Sequence, residues 1–191
     1  MSEGAPSKPL PKQVDPRKLA HLNVSLAGIV PEAEMPRLRE ASHPQMPPSE
    51  GHERAVTAQL EFLLDGQGRR LIEGRLAAKV VLECQRCLGP VELDICTEVN
   101  LAVVRDDEAG RDLPKSLDPW IVTDEQANLY EALEDELLLA LPAVPLHDSD
   151  CIDAALLSCG DAPDVQTGEA DTKENPFSVL AGLKQDLKNS D

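Results

Sequence analysis

The sequence predicts an α+β fold: an antiparallel β-meander covered by one long helix, with a flexible N-terminal arm and a C-terminal tail. Three observations predict it. Residues 56–103 alternate apolar and polar side chains at the period of two of half-buried strands. Residues 123–141 then switch to a helical period, and proline, glycine and acidic residues crowd the two ends of the chain. A length of 191 residues suits one such core, and 41% hydrophobic content can fill it. With one Trp, one Tyr and two Phe, the packing falls to Leu, Val, Ile and Ala.

Residues 1–50 read as an N-terminal arm with a short helix and strand, packed or partly flexible, because nine of the 16 prolines lie before residue 49. Within it, Asp15-Pro16-Arg17-Lys18-Leu19-Ala20 places a capping carboxylate before a proline at the first helical position, and a short strand is expected over residues 23–30. The core domain is expected over residues 51–160. Val56, Ala58, Leu60, Phe62 and Leu64 line one face of a strand, and Asp65-Gly66-Gln67-Gly68 supplies turn residues for a hairpin. Leu76, Ala78, Val80 and Leu82 line the next strand. Past Cys84-Gln85-Arg86-Cys87, a third strand turns Val91, Leu93, Ile95, Val99, Leu101 and Val103 inward and Glu92, Asp94, Cys96, Glu98 and Asn100 outward. A charged loop with Asp106-Asp107-Glu108 precedes a fourth strand, Trp120-Ile121-Val122. Thr123 or Asp124 then caps a helix to Leu141, with Tyr130, Leu133, Leu137 and Leu141 inward and Pro142 as its stop. Residues 161–191 read as an acidic tether and a short docking helix carrying Phe177, Leu180, Leu183 and Leu187.

The formal net charge is −17 and is uneven: residues 1–80 carry 11 Lys/Arg and 10 Asp/Glu, residues 81–191 carry 7 and 25. Residues 106–171 hold 18 acidic residues against two basic ones. Such a field repels phosphate backbones and attracts basic polypeptides, so a broad nucleic-acid-coating surface is excluded and a basic protein partner is favoured. Scarce aromatics also argue against single-strand stacking platforms. The start, Met1-Ser2-Glu3-Gly4-Ala5-Pro6, lacks a signal-peptide pattern, and no uncharged apolar run reaches the roughly 18–20 residues of a membrane span. A cytoplasmic protein without membrane contact is expected, and five cysteines there point to reduced thiols or metal ligands.

The sharpest chemical feature is the pair Cys84 and Cys87, two thiols aimed at one point by a tight turn, which is half of a structural zinc site. His147 and Cys151, four residues apart after the helix, offer the other half, with Cys159 in reserve; otherwise the pair simply packs a reduced turn. A redox role fits less well, since such pairs in redox proteins open a helix. Glu131, Glu134, Asp135 and Glu136 are expected to form the solvated face of the helix. Cys96, among outward carboxylates, is a poor nucleophile. His21, His43 and His52 lie at loops or element ends, no catalytic constellation can be named, and Gly66 and Gly68 do not form a phosphate loop, so no small-molecule substrate is implied. Arg69, Arg70, Arg75, Lys79 and Arg86 would either graze RNA or pair with Glu61, Glu73 and Glu83 across the wet face of the sheet.

Three ordered blocks carry a resemblance. Val80-Val81-Leu82-Glu83-Cys84-Gln85-Arg86-Cys87, then Glu134-Asp135-Glu136-Leu137-Leu138-Leu139-Ala140-Leu141-Pro142 with Val144-Pro145-Leu146-His147-Asp148-Ser149, then Asn175-Pro176-Phe177-Ser178-Val179-Leu180-Ala181-Gly182-Leu183-Lys184 resemble the bacterial large ribosomal RNA subunit accumulation family, YceD. Asp15-Pro16 and Gly28-Ile29 resemble the start of that family. The resemblance implies a non-enzymatic ribosome biogenesis factor that supports synthesis, processing or stability of 23S rRNA, and it assigns no catalytic residue. It also implies zinc through a fuller cysteine set after the Leu-Pro motif, from which this chain departs, offering His147, Cys151 and Cys159. The expected partner is a basic ribosomal protein or a pre-large-subunit particle, with indirect rRNA contact. Two other classes compete: a small metal-dependent RNA-processing enzyme, and a structural zinc-binding interaction module.

Overall fold

The computed structural model describes residues 8–43 and 55–153. In chain order the elements are β1 (Gln13–Val14), α1 (Pro16–His21), β2 (Ser25–Pro31), a 3-10 turn (Glu32–Glu34), α2 (Pro36–Ala41), β3 (Ala55–Leu64), β4 (Arg70–Glu83), β5 (Pro90–Val104), α3 (Asp107–Arg111), β6 (Asp118–Ile121), β7 (Ala127–Asn128) and α4 (Leu129–Ala140). The fold is α+β. Five strands form one sheet in the order β2-β3-β4-β5-β6, and β1 pairs with β7 in a separate two-stranded ribbon.

The alternation that predicts the long strands sets their registers. Phe62 pairs with Ile72, which pairs with Leu101, and Ala58 pairs with Leu76, so apolar side chains stack in rows on one face. At the β3–β4 hairpin, Asp65 Oδ1 accepts from the backbone N–H of Gln67 and of Arg69, and Gly68 takes φ +78, a value that suits glycine. Gly74 serves close packing instead: a Cβ there would lie 2.1 Å from the Gln59 carbonyl oxygen.

The expectation of an all-antiparallel meander needs correcting at β6. That strand pairs parallel with β5, Val103 against Trp120, because residues 105–117, including α3, are long enough for the crossover of about a dozen residues that parallel pairing requires. Over its described part the N-terminal arm takes the packed of its two expected forms, not the flexible one. β2 is the edge strand beside β3, and Leu10, Val14, Ala20, Val30, Met35 and Leu38 are buried in the same core as the sheet. Proline there stiffens a packed segment: Asp15 caps α1 by accepting from the Lys18 N–H at 2.9 Å, and Pro16 occupies its first position, as the sequence predicts.

The covering helix is shorter than expected. α4 begins at Leu129 with Asn128 as its cap, not at Thr123 or Asp124. Residues before it are held extended by other partners: Val14 pairs with Ala127, the Leu129 N–H donates to the Lys12 carbonyl, and the Arg17 guanidinium donates to the Val122 and Asp124 carbonyls. Of the expected inward stripe, Tyr130, Leu133 and Leu137 are buried in the core together with Leu129, while Leu141 lies just past the helix as its C-cap and is half-buried. Burying each such leucine contributes about 1.5–3 kcal/mol.

Glu134 overturns the expectation that all four helix carboxylates are solvated. It is 2% exposed and accepts from the Arg37 N–H at 2.7 Å, the Leu38 N–H at 3.0 Å and Arg37 Nε at 3.0 Å. It thereby caps α2, whose own cap residue, Met35, offers no side-chain acceptor. The basic residues of the hairpins pair with other acids than expected: Arg75 with Glu98 and Lys79 with Glu92 and Asp94 across the sheet, Arg69 with Asp65 within the hairpin turn, and Arg86 with Asp150 in the segment after α4. The expected tether and docking helix, the boundary at residue 160, and Cys159 lie outside the described residues.

Candidate metal centre

β4 and β5 are joined by the turn Cys84-Gln85-Arg86-Cys87-Leu88-Gly89. The Cys84 N–H donates to the Gly89 carbonyl and the Leu88 N–H to the Cys84 carbonyl, both at 2.8 Å. This closure puts Leu88 in the left-handed region at φ 60, a conformation that costs a side-chain-bearing residue about 1–2 kcal/mol. Cys84 is buried and Cys87 half-buried.

The segment after α4 folds back over this turn. The Gln85 N–H donates to the Pro145 carbonyl at 2.9 Å. Arg86 does the rest: its guanidinium donates to the carbonyls of His147 and Ser149, pairs with Asp150, and sends Nε to Cys151 Sγ at 3.1 Å. His147 and Cys151 are thereby carried to the two sulfurs of the turn. The donor atoms of Cys84, Cys87, His147 and Cys151 all lie within 4.8 Å of one another.

The spacings within this cluster can be compared with what a metal ion requires. In tetrahedral zinc coordination, bond lengths of about 2.3 Å to sulfur and about 2.0–2.1 Å to nitrogen place two sulfurs about 3.8 Å apart and a sulfur about 3.6 Å from an imidazole nitrogen. Here Cys84 Sγ lies 3.7 Å from Cys151 Sγ, and Cys87 Sγ lies 3.5 Å from His147 Nδ1. The other ring nitrogen, His147 Nε2, is 3.0 Å from the Pro90 carbonyl oxygen. A carbonyl only accepts, so Nε2 carries the proton and Nδ1 keeps its lone pair for a metal; such outer contacts orient ligating histidines. The Arg86 N–H on Cys151 is a second outer contact of this kind.

The electrostatics of the cluster favour the thiolate at Cys84 and Cys151 and oppose it at Cys87. Burial works against charge on Cys84, but backbone N–H groups of Cys87 and Arg86, with His147 and Cys151, pull its pKa down to about 5. Cys151 is likewise opposed by burial and lowered by Arg86 and His147. In Cys87 the Gly89 N–H lowers the pKa, but burial and the neighbouring Cys151 and Cys84 outweigh it, so it ends raised. His147 is raised by the sulfurs of Cys151 and Cys84. Three thiolates and one imidazole could hold a divalent ion, whose own charge would settle the repulsion among the sulfurs. Four protein donors would leave no open position for a reacting water.

The structure thus brings together the four residues that the sequence singles out. Cys96 stays apart, exposed on the outer face of the sheet, and His21 is exposed at the end of α1. His52 lies outside the described residues. Arg86 is the residue whose place the sequence conceals: it reads as part of a basic patch and is instead bound into the cluster. Its position between the two cysteines is the one local signal of that role.

Comparison with known proteins agrees with the architecture of ordered blocks. Residues 72–184 match the family described as Large ribosomal RNA subunit accumulation protein YceD. A protein of that name from Haemophilus influenzae is 34% identical over 179 residues, covering 92% of this chain and 97% of the relative. No solved structure matches the chain. By both the family match and this near full-length similarity, the chain belongs to the large ribosomal RNA subunit accumulation protein family YceD.

Proposed function

We propose that this protein is a non-catalytic ribosome biogenesis factor of the cytoplasm. It supports synthesis, processing or stability of 23S rRNA by binding a basic ribosomal protein or a pre-large-subunit particle, and touches rRNA at most indirectly. The observation that carries the reading is the similarity to a large ribosomal RNA subunit accumulation protein along 92% of the chain. The choice of a basic polypeptide rests on charge, with 18 acidic residues against two basic ones over residues 106–171. In this reading Cys84, Cys87, His147 and Cys151 hold a structural zinc that ties the β4–β5 turn to the segment behind α4. A closed set of four donors supports a structural ion over a catalytic one. No helix among the described residues is long and apolar enough to cross a membrane.

The test has two arms. In cells lacking the protein, 23S rRNA should fall relative to 16S rRNA and recover on re-expression; an unchanged ratio ends the reading. In the second arm, purified protein is incubated with precursor rRNA with and without a chelator. Intact RNA in both is expected, whereas cutting that the chelator abolishes would make the protein a metal-dependent nuclease.

A further inference from the structure

The outer face of the sheet neutralises much of its charge internally, Arg75 with Glu98 and Lys79 with Glu92 and Asp94. A different surface lies between the edge strand β6 and the helix α4. There a concavity of ≈ 370 Å³ opens, walled by Pro119, Trp120, Leu138 and Leu139. Leu139 is 80% exposed, unusual for a leucine on the helix that covers the core. Two carboxylates enter this space from opposite sides, Asp118 from β6 and Glu136 from α4. Among the described residues neither has an ion-pair or hydrogen-bond partner, while their neighbour Asp135 is held by Arg37 at 2.5 Å. Burial, then Asp118 and Asp135, hold the Glu136 pKa above the usual carboxylate range, which marks negative charge concentrated against an apolar wall.

We propose that the groove between β6 and α4 is the seat of a lysine- or arginine-bearing segment of a partner protein, with the basic head between Asp118 and Glu136 and its methylene stem along Trp120 and Leu139. The chemistry matches on each count. Long basic side chains lay their stems on apolar surface and keep the charge at the tip. Charge-assisted hydrogen bonds to carboxylates are the strong ones, and an indole face attracts a cation. The inference rests on the reading that the protein binds a basic polypeptide, and it names where.

Trp120 is the single tryptophan of the chain, so its fluorescence reports on the groove. The full-length protein is titrated with a synthetic peptide rich in lysine, arginine and leucine. Binding should shift Trp120 emission, and the double variant Asp118→Asn/Glu136→Gln should bind at least about tenfold more weakly, the equivalent of about 1.4 kcal/mol. The charge-matched control is Glu61→Gln/Glu73→Gln, a directly paired and exposed couple on the outer sheet face; it should change affinity by less than about twofold. Both doubles replace carboxylates by amides of the same shape, and equal melting points verify that they fold.

Equal weakening by the two doubles would overturn the groove while leaving the basic-partner reading standing, since net charge alone would then drive binding. No binding by the unaltered protein would overturn both. An emission shift produced by single-stranded RNA instead of the peptide would assign the groove to another occupant and sink the proposal. So would a shift with the protein's own concentration, or tighter peptide binding by Phe177→Ala.

Discussion

Glu134 is a carboxylate removed from water with every contact directed at one short helix, so its loss leaves two backbone N–H groups of α2 unsatisfied and Arg37 without its buried partner. Glu134→Ala is expected to destabilise the fold by about 2–4 kcal/mol in urea unfolding, with Glu134→Gln about half as costly because the amide oxygen can still accept. A loss below about 0.5 kcal/mol would place the capping energy elsewhere. Asp65 carries a prediction in pH. Burial raises its proton affinity, but the Arg69 side chain and the N–H groups of Arg69 and Gln67 outweigh that, so its folded pKa lies below the ordinary 3.8. A depressed folded pKa contributes stability above the unfolded value and loses it as pH falls through the folded one. The stability gap between the parent and Asp65→Asn should therefore be constant above about pH 5 and close below pH 3.8, read from urea midpoints across that range. A gap that widens on acidification would contradict the assigned contacts.

At the scale of elements, the β4–β5 turn and the segment over residues 145–151 are joined by backbone bonds, Arg86 and the four-donor cluster. If zinc sits there, about one ion per chain should be found by elemental analysis, and removing it with a chelator should lower the Tm by about 10 °C or more, since a few kcal/mol of metal-linked folding energy shifts a chain of this size by that much. Cys87→Ser should reproduce the loss, with faster amide hydrogen exchange in residues 84–89 and unchanged protection in α4. A Tm indifferent to both treatments would leave the cluster as packed thiols. Leu88→Gly probes the same turn from the backbone side. Its φ of 60 suits glycine and its side chain is 65% exposed, so the substitution should be neutral or stabilising by up to about 1 kcal/mol, where glycine elsewhere in a strand costs stability.

For the whole molecule, the uneven charge sets how association responds to salt. The screening length shrinks from about 10 Å at 0.1 M to about 3 Å at 1 M. Pull-downs from lysate should therefore recover a basic ribosomal protein at low ionic strength and lose it at high. Recovery of naked 23S fragments with no protein would invert the assignment. On the proposed reading the groove between β6 and α4 is where that long-range attraction ends in contact, at the carboxylates of Asp118 and Glu136, which have no partner among the described residues.

Much of this was legible in the residues. Strand alternation, the Asp15 cap, the hairpin at Asp65 and the inward stripe of α4 follow from local periodicity and turn chemistry, which act over a few residues. The four metal-donor candidates were legible too, because sulfur and imidazole at short spacings are rare enough to stand out. What local pattern cannot carry is competition between distant partners. The first residues expected in the helix are instead held extended by β1 and Arg17, β6 runs parallel because its connection crosses over, and Glu134 is buried because α2 lacks a cap of its own. Amino-acid order alone determined which segments alternate, which coil and which side chains bear chemistry. Only the tertiary structure decided which polar groups pair across 97 to 120 positions, since leaving a buried donor or acceptor without a partner costs more than the small local preferences that such pairing overrides.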